Sequence, residues 1–158
     1  MRAYRITREV RGEAYTLLLK AALEEASTFS LVWREHQQYA PSATGVRNAL
    51  RGLQLRHVKR DRWPGTLLVN GAASVVTYRA APGALPVLLE PGSLLGWRSP
   101  AYPEDLSFST DSAVCLATVA HEGEAWILSR SLARAVGQRV TLVREHLDPR
   151  YEQYFKAL

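Results

Sequence analysis

The sequence predicts an α+β fold: one domain with a mainly antiparallel sheet, a long N-terminal helix and shorter helices packed on the sheet. Three observations predict it. Residues 12–26, "GEAYTLLLKAALEEA", place apolar side chains at helical spacing. Several short runs alternate apolar and polar residues, as half-buried strands do. These segments follow one another without a regular strand–helix–strand alternation, which argues against a parallel sheet.

The elements follow in chain order. The helix over 12–26 has good helix formers, with no proline and glycine only at its start. Its expected inward face is Ala14, Leu17, Leu18, Ala21 and Ala22. The Leu17/Leu18/Ala21 part of that face should pack on a sheet containing 28–34 and 113–120. "STFSLVWRE", residues 27–35, alternates Phe29, Leu31 and Trp33 with Ser30, Val32 and Arg34 and reads as a strand. "QYAPSATGV" is a loop, and Thr44 is the expected cap of a helix over 44–53. That helix turns Val46, Ala49, Leu50 and Leu53 inward and leaves Arg47 and Arg51 outside. "QLRHVKRDRW" reads as a strand crowded with basic residues. "WPGT" breaks the chain, and Asn70-Gly71 is a hairpin signal between two apolar runs. A short helix is expected near 83–90. "LSFS" and "AVCLATVA" pair around the turn "TDSA", and "EAWIL" extends the sheet. "SRSLARAV" is a short helix closed by Gly137, and "VTLV" is a last strand. In the tail, Asp148 caps a helix with Pro149 at its first position, which suits both residues. The single domain spans 1–158, with a core over 1–137 and a strand/helix tail over 138–158.

Composition narrows the class. A chain of 158 residues buries roughly two thirds of its extended surface, enough for a core without disulfides or metal. The single cysteine, Cys115, sits in the apolar run "AVCLATV" and reads as a small buried hydrophobe. No run approaches the roughly 18 apolar residues of a membrane span, and residues 1–15 carry charges throughout rather than a signal-peptide core. The expected setting is cytoplasmic, without membrane contact. The net charge of +5 is unevenly spread. Residues 1–63 carry twelve positive and six negative charges, residues 64–129 two and six, residues 130–158 six and three. A basic balance suits a polyanionic partner, although seventeen arginines against three lysines is also what a GC-rich genome writes.

Two constellations carry candidate chemistry. "YPEDLSF" and "AHEGEAW" supply Glu104, Asp105, His121, Glu122 and Glu124. The zinc-protease helix needs His-Glu-x-x-His, and position 125 is Ala, so that motif fails. An antiparallel pair closed by "TDSA" returns the chain beside its start, so Glu104 or Asp105 should lie within hydrogen-bonding or salt-bridge reach of His121. The favoured role is structural, at a strand end; binding and catalysis are the alternatives. Cys115 lacks the electropositive, exposed setting of a nucleophile. There is no G-x-S-x-G elbow, Walker loop or G-x-G-x-x-G turn. The second constellation is basic: Arg47, Arg51, Arg56, Lys59, Arg60 and Arg62, interleaved with His57 and Trp63. Arginine beside exposed aromatics grips single-stranded nucleic acid, whereas a charged edge strand merely resists aggregation. Trp63 and Trp97 lie at turns and either pack a loop or anchor a partner.

The succession Trp63-Pro64-Gly65-Thr66, Trp97, Pro103-Glu104-Asp105-Leu106 and His121-Glu122 resembles a small family of uncharacterised bacterial proteins, some labelled after a stage III sporulation protein. The resemblance spans roughly residues 1–137. It implies a bacterial, cytosolic protein in which "PEDL" and "AHE" form one feature. The family has no established activity, so no catalytic residue follows from it. The sporulation label would imply a membrane anchor, and no run of the sequence reads as one.

These readings together favour a non-enzymatic bacterial accessory or regulatory protein that binds another macromolecule, a protein partner or a second copy of itself. The binding residues would be Glu104, Asp105, His121, Glu122, Trp63 and Trp97. The first alternative is nucleic-acid binding through 47–63. The second is a small enzyme or metal-binding protein using Glu104, Asp105, His121 and Glu122. No catalytic residue, metal or cofactor is assigned.

Overall fold

The computed structural model describes residues 1–157. In chain order the elements are β1 (Arg2–Ile6), α1 (Gly12–Glu25), β2 (Thr28–Arg34), α2 (Pro41–Ala49), β3 (Gln54–Arg60), β4 (Arg62–Trp63), β5 (Thr66–Leu67), β6 (Ala73–Arg79), α3 (Leu85–Leu88), β7 (Glu104–Ser109), β8 (Val114–Val119), β9 (Glu124–Ile127), α4 (Arg130–Val136), β10 (Leu142–His146) and α5 (Pro149–Glu152). Eight strands form one sheet in the order β10-β1-β9-β8-β7-β2-β6-β3, and β4 and β5 form a separate small hairpin. Every neighbouring pair is antiparallel.

This arrangement corrects the expected α+β layout led by a long N-terminal helix. A strand comes first, and the first helix has 14 residues. It is one of five short helices among the described residues, in a mixed α/β arrangement on a large antiparallel sheet. "RAYRI" escapes a local reading because its arginines dilute the alternation. Only its partners, β9 and β10, make it a strand.

The inward face of α1 is also corrected. Tyr15, Leu18, Leu19, Ala22 and Leu23 are buried, while Leu17 is 37% exposed. Glu13, Thr16, Lys20 and Glu24 form a polar stripe at helical spacing, Leu17 borders it, and the buried face lies opposite. Specific contacts anchor that face. The Tyr15 hydroxyl donates to the Leu88 carbonyl (2.6 Å) and accepts from Trp97 Nε1 (3.0 Å).

Helices α1 to α4 cover one sheet face. Phe29, Leu31 and Trp33 of β2, Leu106 and Phe108 of β7, and Leu116 and Ile127 join them in the main core. The alternate residues face the opposite side. There Val32, Ala73 and Val75 pack with Trp63 of the β4–β5 hairpin, and Val114 and Ala117 pack with Phe155. The 138–158 segment thus contributes an edge strand, β10, and a closing piece that lies across the second face. A hydrogen bond from the Gly65 N–H to the Tyr154 carbonyl (2.8 Å) ties that piece to the hairpin.

Two local expectations change. The helix predicted over 44–53 begins at Pro41, follows Ala40 rather than a Thr44 cap, and ends at Ala49, which is exposed. Proline at the first helical position has no N–H to leave unpaired. Asn70-Gly71 does not close a hairpin of the two runs beside it, because β5 pairs with β4 and the main ladder joins β3 to β6.

Candidate functional site

The "PEDL" and "AHE" segments meet on the hairpin side of the sheet, and a β-bulge brings them together. β7 pairs with β2 as Ser30↔Ser107 and then Val32↔Glu104, so β7 carries one extra residue there. Asp105 takes φ +54°, a left-handed conformation that aspartate tolerates better than most residues. In a regular strand, Glu104 and Asp105 would point to opposite faces. The bulge re-aims them, and one oxygen of each lies within 4.8 Å of the other and of a His121 nitrogen.

Both carboxylates are buried, Glu104 at 7% and Asp105 at 1% exposure. Glu104 accepts from Arg34 Nε (2.6 Å) and from the Ser99 hydroxyl (2.8 Å). Asp105 accepts from Trp63 Nε1 (2.8 Å) and from the Ala120 N–H (2.9 Å). The Arg34 guanidinium lies 4.8 Å from the Trp63 ring centre. The network therefore pins the hairpin, through Trp63, to the sheet and to the turn after β8.

The two acids respond to burial differently. Burial pushes the Glu104 carboxyl up, but the hydrogen bonds from Arg34 and Ser99 and the Arg34 charge outweigh it, so its pKa is lowered. For Asp105 burial dominates, and the bonds from Trp63 and Ala120 only partly offset it, so its pKa is raised. Glu104 has a cation beside it; Asp105 has neutral donors.

His121 does not make the direct pair expected of it. Its ion-pair partner among the described residues is Glu122, at 3.6 Å, and both are exposed. Trp63 and Trp97 are 2% and 0% exposed, so neither ring is offered to a partner. Arg34 and Ser99 belong to the network and escaped the sequence reading. Arg34 carried a signal, a charge on the less apolar face of a strand, whereas nothing near Ser99 marked it.

Glu104, Asp105 and His121 are close enough to share a cation. The Arg34 guanidinium already holds Glu104, however, and both Asp105 oxygens accept protein donors. The arrangement is a hydrogen-bonded joint in which Arg34 neutralises Glu104 and neutral donors hold Asp105. Its pH dependence follows. The Glu104 contribution is fully present above the ordinary glutamate value, about 4.3, and is lost as pH falls through the lowered folded value. Asp105 works in the opposite sense, since its raised carboxyl favours the fold on protonation. Glu104→Gln should therefore cost about 1–3 kcal/mol near neutrality and flatten the loss of stability on acidification, read as Tm against pH. Zn²⁺ or Mn²⁺ should leave the wild-type Tm unchanged. A metal-induced rise that His121→Ala removes would reassign the cluster as a metal site.

The basic residues gather around β3 at the sheet's edge. Arg47 stacks over buried Trp33, its guanidinium carbon 3.9 Å from the ring centre. Arg51 Nη2 donates to Asn48 (3.0 Å), Lys59 pairs with Glu35 (2.6 Å) and Arg62 with Asp61 (3.3 Å). Arg56 and Lys59 are exposed and Arg60 partly so. Their aromatic neighbours Trp33 and Trp63 are both buried, so this surface has charge without a stacking platform. No helix among the described residues is long and apolar enough to cross a membrane. Comparison with family models, curated proteins and solved structures finds nothing that matches this chain.

Proposed function

We propose that the chain is a non-enzymatic bacterial accessory protein that binds another protein, and that it does so by accepting an extended, acidic segment along β3. The bacterial assignment follows the resemblance of the WPGT, PEDL and HE segments. The observation that carries the binding mode is the state of β3. It is a seven-residue strand at the end of the sheet, paired among the described residues with one strand, β6, and most of its residues are exposed. The free side of an edge strand is where an added strand docks. Arg56, Lys59 and Arg60 favour an acidic strand and oppose a second copy of this one, because like charges directly opposite are unfavourable.

The test uses an alternating Glu/Val peptide, its Lys/Val counterpart and oligothymidylate. The acidic peptide should protect the amides of residues 54–60 from hydrogen exchange, and the basic one should not. Reversing Arg56, Lys59 and Arg60 to Glu should weaken acidic-peptide binding by more than about a hundredfold, since like-charge contacts cost several kcal/mol. Oligothymidylate binding with a log–log salt slope near −0.7 per phosphate, without acidic-peptide binding, would replace this reading with the nucleic-acid one. Binding of neither would overturn both.

A further inference from the structure

On the face crossed by the C-terminal segment there is a cavity of about 390 Å³, near the lower end of the range for small-ligand sites. Its floor is set by the sheet register. Arg5 lies opposite Trp126, and Glu124 is two residues earlier on the same strand, so these three side chains share one face. Glu145 joins them from β10 and accepts from Trp126 Nε1 (2.8 Å). The other wall comes from the C-terminal segment, as Tyr151, Tyr154 and Phe155. Phe155 meets Trp126 edge-on, with ring centres 5.4 Å apart, and Tyr151 lies 6.0 Å from Tyr154.

The charges in this cavity oppose those of the chain. Against a net charge of +5, the cavity gathers Glu122, Glu124 and Glu145 with one basic residue, Arg5. Arg5 is already paired with Glu145 at 3.5 Å. The Glu124 carboxylate has no hydrogen-bond or ion-pair partner among the described residues. What remains is negative charge set among four aromatic rings. Carboxylates alone would suit a hydrated metal ion as well as any cation. Aromatic faces alter the selection, because the ring quadrupole attracts organic cations, whose water is held far less tightly than that of a divalent metal ion.

We propose that this cavity binds a small organic cation, an alkylammonium or a guanidinium group, with Glu124 as its counter-ion and Trp126, Tyr151 and Tyr154 as its walls. The site is separate from the β3 edge, and neither proposal depends on the other. The cation can come from a free amine or from the side chain of a bound peptide, and the chemistry recognised is the same.

The test titrates the full chain with tetramethylammonium, agmatine and the peptide Gly-Arg-Gly, with tert-butanol as the neutral analogue and Mg²⁺ as the hydrated ion. Binding is read by calorimetry and by tryptophan fluorescence. At least one organic cation should bind saturably, at least about tenfold more tightly than tert-butanol or Mg²⁺. Glu124→Gln and Tyr151→Leu should each weaken binding about tenfold, and Tyr151→Phe, which keeps the ring, should preserve it. Tyr151 is 53% exposed, so its variants should keep the wild-type Tm and report on binding alone. Tighter binding of agmatine than of Gly-Arg-Gly marks a free amine as the ligand, and the reverse order marks a peptide side chain. Equal binding of tert-butanol, no binding of any cation, or affinities that Glu124→Gln and Tyr151→Leu leave unchanged would overturn the proposal.

Discussion

Asp105→Ala should cost about 3–8 kcal/mol of folding free energy, measured by denaturant unfolding. The figure has two sources. The substitution strands two buried donors, Trp63 Nε1 and the Ala120 N–H, at about 1–3 kcal/mol each. It also puts alanine at φ +54°, a conformation costing roughly 1–2 kcal/mol without a side chain suited to it. Asp105→Asn separates the two. Asparagine accepts the left-handed backbone and keeps one acceptor oxygen, so it should fall between wild type and alanine. The raised carboxyl of Asp105 adds a further sign. Wild type loses stability as pH rises through this raised value and asparagine does not titrate, so the deficit of the Asn variant should be largest in acid and shrink towards neutrality. Equal stability of the Ala variant and wild type would mean that the bulge is held by something other than this carboxylate.

Trp97→Ala should be comparably damaging, at about 3–5 kcal/mol. Trp97 is fully buried, packs edge-on against Tyr102 with ring centres 5.6 Å apart, and donates to the Tyr15 hydroxyl. Tyr15→Phe is the companion measurement. It leaves the Trp97 N–H without an acceptor and the Leu88 carbonyl without its donor, for about 2–6 kcal/mol in total. Because the two residues share one hydrogen bond, the double variant should cost less than the sum. Strict additivity would show that the bond contributes nothing. A Trp97 that anchored a partner would behave otherwise, with its loss visible in binding and not in stability.

The pairing of "LSFS" with "AVCLATVA" was legible because alternation and the turn residues "TDSA" agree, and the structure joins Phe108 to Leu116 and Ser109 to Val114. The Asp148 cap was legible for the same local reason, and its side chain accepts from the Arg150 N–H at 2.8 Å. What local patterns could not supply is long-range. Which apolar residues of α1 are buried deepest depends on what the helix meets across the core, as with Tyr15 against Leu88 and Trp97. The convergence of Glu104 with Asp105 depends on a register shift against β2, some seventy residues earlier in the chain. That shift leaves no mark in "PEDL" itself, and Arg34 and Ser99 enter the site through it.

The place of β1 has a consequence for how the molecule comes into being. β1 lies between β9 and β10, strands that begin at residues 124 and 142. Synthesis from the N-terminus therefore produces a strand whose both neighbours are made last. Until they arrive, its main-chain groups must stay with water or with a temporary partner. The nascent chain can pair β2, β6 and β7 beside α1 before either neighbour of β1 exists. Contacts of such sequence separation slow folding, and a waiting strand is open to aggregation in the interval. The arginines of "RAYRI", which hid this strand from a local reading, are the kind of charge that discourages strand-to-strand aggregation.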